Sequence, residues 1–160
     1  MIRPARPEDV PEILAMIREL ATYERAPEQV EATEEALHAA LFGPEPAVFC
    51  HLAEHDGAGV AGFALWFLNF STWLGSHGVH LEDLFVRPTY RRHGYATALL
   101  RTLAAIAVAG GYGRLEWAVL DWNTDAHGFY RAIGAAPMDE WTTWRATGDA
   151  LRRLADEPHR

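Results

Sequence analysis

The chain has 160 residues, 49% of them hydrophobic and 22% charged, with a formal charge of −8 and one cysteine. That length suits a single domain, residues 1–160, able to bury a core without disulfides or structural metal, and the acidity disfavours nonspecific nucleic-acid binding while favouring a cationic partner. The longest apolar run, Ala61 to Leu68, falls far short of the roughly 20 residues that span a bilayer, and Met1-Ile2-Arg3-Pro4 leads into charged sequence with no apolar leader, so a cytoplasmic protein is expected.

Ile2-Arg3 reads as a short opening strand. A helix follows from Pro7, whose missing N–H costs nothing in a first turn, with Glu8 and Asp9 at the positive end of the helix dipole. Val10, Ile13, Leu14, Ile17 and Leu20 recur at helical spacing, up to a loop at Tyr23-Glu24-Arg25-Ala26-Pro27. A second helix is expected over Thr33 to Phe42, ended by Gly43-Pro44. The period then changes. Val48–Ala53, Val60–Leu68 and Val79–Val86 read as three meandering strands, separated by Asp56-Gly57-Ala58-Gly59 and by a loop over Ser71–Gly78. Cys50, in the first of them, has apolar neighbours and reads as core. From Gly94 a helix places Ala96, Leu99, Leu100, Leu103 and Ala107 on one face and stops at Gly110-Gly111. Arg114–Leu120 reads as a strand, Thr124–Ala132 as a helix closed by Gly134, and Trp141–Arg145 as a last strand. Helices alternating with a meander imply an α/β class with a mixed sheet.

The base-rich segment Arg87 to His93 reverses the sign of an acidic chain and is either a solvated turn or a phosphate site. It joins the strand ending Leu84-Phe85-Val86 to the helix after Gly94. The first N–H groups of a helix lack intrahelical acceptors and sit at the positive end of its dipole, so such a corner suits an anion. Gly94, with no side chain, permits close approach, and small Ala96 continues the opening. No Gly-x-Gly-x-x-Gly with a following acid is present, and a Walker A loop needs a lysine, which this chain lacks altogether.

Strand, Arg-x-x-Gly-x-Ala and helix together, here Arg91-Arg92-His93-Gly94-Tyr95-Ala96, resemble the acyl-CoA signature of the GNAT superfamily. The resemblance implies the GNAT fold, a mixed and mostly antiparallel sheet with helices on both faces. It also implies acetyl-CoA as cosubstrate, its pyrophosphate on the amides of Arg92 to Thr97 (Arg92, His93, Gly94, Tyr95, Ala96, Thr97), beside Arg91 and the strand residues Leu84, Phe85 and Val86.

Acetyl transfer to an amine needs a base, because an alkylammonium has a pKa of about 10, and profits from an acid that protonates the leaving thiolate, a task suited to a phenol. Glu82-Asp83 and Tyr130 are the candidates. Two adjacent acids in an apolar strand are costly unless used or paired. Strict alternation puts them on opposite faces, one solvated and the other structural, whereas a bulge brings both to one side.

The blocks Leu20-Ala21-Thr22-Tyr23-Glu24, Glu28-Gln29-Val30, His80-Leu81-Glu82-Asp83-Leu84-Phe85-Val86, Asp121-Trp122-Asn123 and Phe129 to Ala135 are similar to the diamine (spermidine/spermine) N-acetyltransferase branch and its thialysine-acetylating relatives. What this implies is a base at Glu82 acting through water, an acid at Tyr130 that also lies against CoA, CoA contact from Asn123, and amine recognition by Glu24, Glu82, Asp83, Trp122 and Trp144, in a homodimer. Asn123 also suits a cap for the helix at Thr124. The tail from Met138 to Trp144 departs most from the branch. The expected activity is acetylation of a primary amine on a small cation, a polyamine or a thialysine-like amino acid whose carboxylate Arg25 or Arg145 meets. The other readings are a noncatalytic acyl-CoA sensor and an acetyltransferase for another class of amine. The eight histidines have no metal-ligand spacing, so no metal is expected.

Overall fold

A computed structural model describes residues 1–57 and 59–156. Ala58, part of the turn expected after Asp56, lies outside the described residues. The chain divides into two compact units, Met1–Ala118 and a smaller one from Val119 onward.

The first unit runs β1 (Ile2–Pro4), α1 (Val10–Tyr23), α2 (Glu34–Phe42), β2 (Phe49–His55), β3 (Gly59–Ser71), β4 (Ser76–Val86), α3 (Tyr95–Ala109) and β5 (Leu115–Glu116). The five strands lie in the order β1-β2-β3-β4-β5, with antiparallel pairing throughout except for parallel β4 and β5. Pro7–Asp9 forms a short 3-10 turn before α1. It is pinned by Asp9, whose nearly buried carboxylate accepts from Arg3 Nη1 at 2.7 Å, Arg3 Nη2 at 2.8 Å and the Arg6 amide at 2.7 Å. The Arg3 guanidinium holds that carboxyl below the usual range. α2 begins one residue later than expected because Thr33 is its cap, Oγ1 accepting from the Ala36 amide.

Helical period and strand alternation together build two faces. Ile13, Met16 and Leu20 of α1 and Leu41 of α2 pack on Cys50, Leu52, Phe63, Leu65 and Phe85, each large side chain so buried contributing about 2 kcal/mol. The residues between them point to the other face, where α3 buries Leu99, Leu100, Leu103 and Ala107. There the Trp66 indole N–H donates to His51 Nδ1 at 3.1 Å, so that ring is neutral at Nδ1, and burial lowers its pKa further.

The second unit holds α4 (Thr124–Ala132) and α5 (Gly148–Asp156). The strand expected over Trp141–Arg145 is absent: no ladder pairs these residues among those described, and Trp141 and Trp144 are exposed. Their β-propensity has nothing to act on, because a strand is stabilised by its cross-strand neighbours. The strand expected over Arg114–Leu120 shortens to Leu115–Glu116, since β4 pairs with it only at Val79 and His80. No helix among the described residues is long and apolar enough to cross a membrane.

Candidate active site

β4 carries the acids, and its register decides where they point. Phe85 opposes Phe63 and Asp83 opposes Leu65, but Trp66 opposes Leu81, leaving Glu82 as an extra residue. This is a β-bulge. Asp83 therefore shares the α1 face with Leu65 and Phe85. On the other side of the bulge His80 opposes Phe67, two residues along β3 from Leu65, and so takes the same face. Glu82 lies on that side as well, its carboxylate 3.7 Å from His80 Nε2.

Glu82 and Asp83 differ in environment. The Glu82 side chain is 56% exposed, whereas Asp83 is half-buried. Burial, then the negative charges of Glu82 and Glu24, push the Asp83 carboxyl up to about 6. Glu24 is thus within electrostatic reach although it lies in the loop after α1. Glu24 itself is solvent-accessible by area, yet loss of surrounding water raises its carboxyl above the ordinary value. Two neighbouring carboxylates thus act on Asp83 with the same sign. A carboxyl whose pKa is raised on folding favours the folded state when protonated, an advantage lost as pH rises through about 6. Asp83→Asn is therefore expected to stabilise the fold at pH 7.5, by no more than about 2 kcal/mol, and to change nothing at pH 4. Thermal unfolding at the two pH values checks this, and equal effects at both would contradict it.

Beyond His80 the β4 edge leaves β5 behind, so the backbone of Leu81 to Val86, including Leu84, Phe85 and Val86, presents an edge unpaired by β5. Arg87 follows, and the structure assigns it away from any phosphate. Its guanidinium donates from Nε and Nη2 to the Glu19 carboxylate and from Nη1 to Glu12 Oε1 at 2.5 Å and to the Val60 carbonyl. The base-rich segment is thus divided: its first arginine ties β4 to α1, and only the part from Arg91 forms the turn.

In that turn Arg92 has φ 65° and Gly94 φ 79°, with His93 between them at negative φ. Such alternation converges successive N–H groups on one side. The first helical bond of α3 runs from the Ala98 amide to Gly94 O, so the amides of Tyr95, Ala96 and Thr97 precede any intrahelical acceptor. A Cβ built on Gly94 meets nothing within 4 Å. The corner is open in front of its donors, and these features fit a diphosphate. Arg92 is exposed and makes no ion pair among the described residues. Arg91 folds back, donating to Val86 O at 3.2 Å and lying 5.1 Å above the Tyr23 ring.

Of the expected residues in the second unit, Asn123 caps α4, its Oδ1 accepting from the Ala126 amide at 3.4 Å. Tyr130 is half-buried on α4 with its ring 5.3 Å from Phe129. Trp122 is 42% exposed and Trp144 is 92% exposed. Sequence reasoning passed over His80, although alternation along a strand already places residues 80 and 82 on one face. Among the described residues no group of three His, Cys, Asp or Glu is disposed to hold a metal. A concavity lined by Pro7, Glu8, Pro11, Glu34, Glu35 and His38 contains none of the site residues.

Comparison with known proteins gives the same direction. The chain is 40% identical over 165 residues to thialysine N-epsilon-acetyltransferase of Bos taurus, covering 97% of this chain and 96% of that protein. It is 35% identical over 197 residues to L-ornithine N5-acetyltransferase of Arabidopsis thaliana, with 96% and 86% covered. In structure it is similar to an integron cassette protein from the mobile metagenome of V. cholerae, with a TM-score of 0.80, 28% identity and 98% of each chain covered. Residues 13–135 match the model of the acetyltransferase (GNAT) family, and with that match the chain belongs to this family.

Proposed function

We propose that the protein is a cytoplasmic, acetyl-CoA-dependent N-acetyltransferase acting on the side-chain amine of a small cationic amino acid of the thialysine or ornithine type, with diamines and polyamines as further acceptors. One observation carries this reading: a single strand holds the bulged pair Glu82 and Asp83, then an edge unpaired by β5, then the open amides of the Arg91–Ala96 turn. An acid pair and an anion site separated by a strand edge suit a cationic acceptor and a diphosphate-bearing acyl carrier brought together.

Acetyl-CoA, when bound, supplies an activated acyl group and a thiolate that leaves. The amides of Arg92 to Thr97 hold its diphosphate, and the strand edge at Leu84, Phe85 and Val86, unpaired by β5, aligns the adjoining arm. Glu24 and Asp83 attract the ammonium, and their mutual repulsion, already visible at Asp83, is relieved when a cation arrives. Glu82, the more exposed acid, removes the ammonium proton through water, so that the free amine attacks the thioester directly with no covalent enzyme intermediate. Tyr130 gives a proton to the thiolate, and Asn123, besides capping α4, contacts the carrier. Trp122 and Trp144 wall the acceptor.

Arg25 supports the amino-acid preference. It follows Glu24 immediately and is held at φ 64°, a left-handed conformation uncommon for arginine that tends to occur where function demands it. Its guanidinium is a suitable partner for an α-carboxylate that polyamines lack. The exposed Met138, Trp141, Leu151 and Leu154 support assembly as a homodimer.

The test is thiol release from acetyl-CoA with thialysine, ornithine, lysine and spermidine as acceptors, using the unchanged chain and Arg25→Ala. Turnover is expected with thialysine or ornithine. Arg25→Ala is expected to raise KM for these amino acids about tenfold, the loss of one charge-assisted pair, without raising that for spermidine. Acetyl-CoA binding with no turnover on any acceptor would instead establish a sensor.

A further inference from the structure

Four aromatic rings crowd beside the α3 turn and have no part in the chemistry above. His55 ends β2, Tyr90 closes a short 3-10 turn after β4, His93 lies within the anion-binding turn and Tyr95 opens α3. The His55 ring centroid lies 5.0 Å from Tyr90, 5.6 Å from His93 and 6.0 Å from Tyr95, and His93 stacks on Tyr95 at 6.1 Å. His55 is the ring common to three of these contacts. It also makes a hydrogen bond across the fold, its Nδ1 lying 2.7 Å from Tyr95 Oη.

The turn needs such a tie. Residues Arg91 to Gly94 belong to no ladder and are exposed, and one non-glycine residue, Arg92, sits at positive φ. The site works only if its amides stay unpaired and convergent, a shape held by bonds within the turn and by a contact from outside it. From within, His93 contributes: its Nδ1 lies 2.9 Å from Arg91 O and 3.2 Å from Tyr90 O. Carbonyls only accept, so that nitrogen carries a proton. From outside, His55 is anchored by the β2–β3 ladder, where it opposes Gly59, and it grips the first residue of the helix whose N-terminus forms the site.

We infer that His55 is a positioning residue for carrier binding. Through its hydrogen bond to Tyr95 and its ring contacts with Tyr90 and His93, it holds the α3 turn in its anion-binding shape, so affinity for the carrier depends on a side chain at the end of β2. This rests on the proposed use of acetyl-CoA. A preorganised site avoids the ordering cost of binding, so losing the tie weakens binding before it affects the acyl transfer itself.

The experiment is calorimetric titration of acetyl-CoA into the full chain, with steady-state kinetics alongside. His55→Ala and Tyr95→Phe are each expected to weaken binding about fivefold to tenfold, the worth of one side-chain hydrogen bond. The double variant is expected to be no weaker than His55→Ala by more than about twofold, because both changes break the same bond. His55→Ala is expected to keep kcat at saturating acetyl-CoA. His55→Asn, whose side-chain amide offers a hydrogen-bonding group where Nδ1 lay, is expected to recover part of the affinity. Tyr95→Phe removes a single oxygen and decides the matter should His55→Ala fail to fold. Singles that bind like the unchanged chain, losses that multiply in the double variant, or a kcat that falls with affinity would each overturn the inference. If the unchanged chain itself does not bind acetyl-CoA, the carrier reading fails and this inference with it; if it binds and the variants bind equally, only the inference fails.

Discussion

Glu82→Gln is expected to lower kcat at pH 7 by about two to three orders of magnitude, the usual worth of a positioned general base, while the affinity for acetyl-CoA stays within about twofold. Glutamine fills the same volume and still holds a water molecule, but does not accept its proton. Because the acceptor ammonium has a pKa of about 10, almost none of it is reactive at pH 7 without a base. Raising the pH supplies free amine from solution, so the deficit of the variant is expected to shrink steadily toward pH 10. That convergence separates a base from a residue that merely shapes the strand, whose loss would be felt equally at every pH. A second consequence follows from the neighbouring acid: removing the Glu82 charge takes away one of the causes that raise Asp83, so the Asp83 carboxyl is expected to titrate lower in the variant. Kinetics against pH and carboxyl titration by NMR check both points. Undiminished turnover at neutral pH would exclude Glu82 as the base.

Gly94→Val is expected to weaken acetyl-CoA binding at least about a hundredfold, as the combined loss of several charge-assisted amide bonds requires. At φ 79° a β-branched residue is strained, and the fold escapes the strain, about 1–2 kcal/mol, by moving the very amides that form the site. The new side chain also projects into open space, since a Cβ at Gly94 meets nothing within 4 Å. Gly75→Val makes an apt control, because Gly75 has φ 63° and the same open surroundings in the β3–β4 hairpin. Both variants are expected to lose similar stability in thermal unfolding, and only Gly94→Val to lose the carrier. Equal affinities for acetyl-CoA in the two variants would remove the phosphate role of the turn.

The residues that announced themselves in the sequence are those whose pattern is local. The apolar spacing of Val10, Ile13, Leu14 and Leu20 marked a helix that the structure contains, since a helical period is imposed by the chain on itself. Gly94 before an apolar helical run marked the corner, and its left-handed φ is the conformation glycine tolerates. Asn123 before Thr124 marked a cap, and its side chain makes that bond.

Where partners come from elsewhere in the chain, the same reading failed or stopped. Arg87 stood in a basic segment that read either as a solvated turn or as a phosphate site, and Glu12 and Glu19, far away in sequence, take up its charge. Trp141–Arg145 had the composition of a strand and no strand to pair with among the described residues. Arg114–Leu120 was cut to two residues by the extent of β4 that faces it. His55 carried no signal in the sequence, because its partner Tyr95 is brought to it by the fold.

By itself, then, the sequence determined the helices and the meandering strands, the strand-to-helix corner at Gly94 and the residue types available for proton transfer, all consequences of local periodicity and backbone chemistry. The tertiary structure alone decided that Glu82 and Asp83 share a face. Strict alternation sends them apart, and the shift that unites them is a matter of register between β3 and β4, set by how two distant stretches pair and not by either one alone.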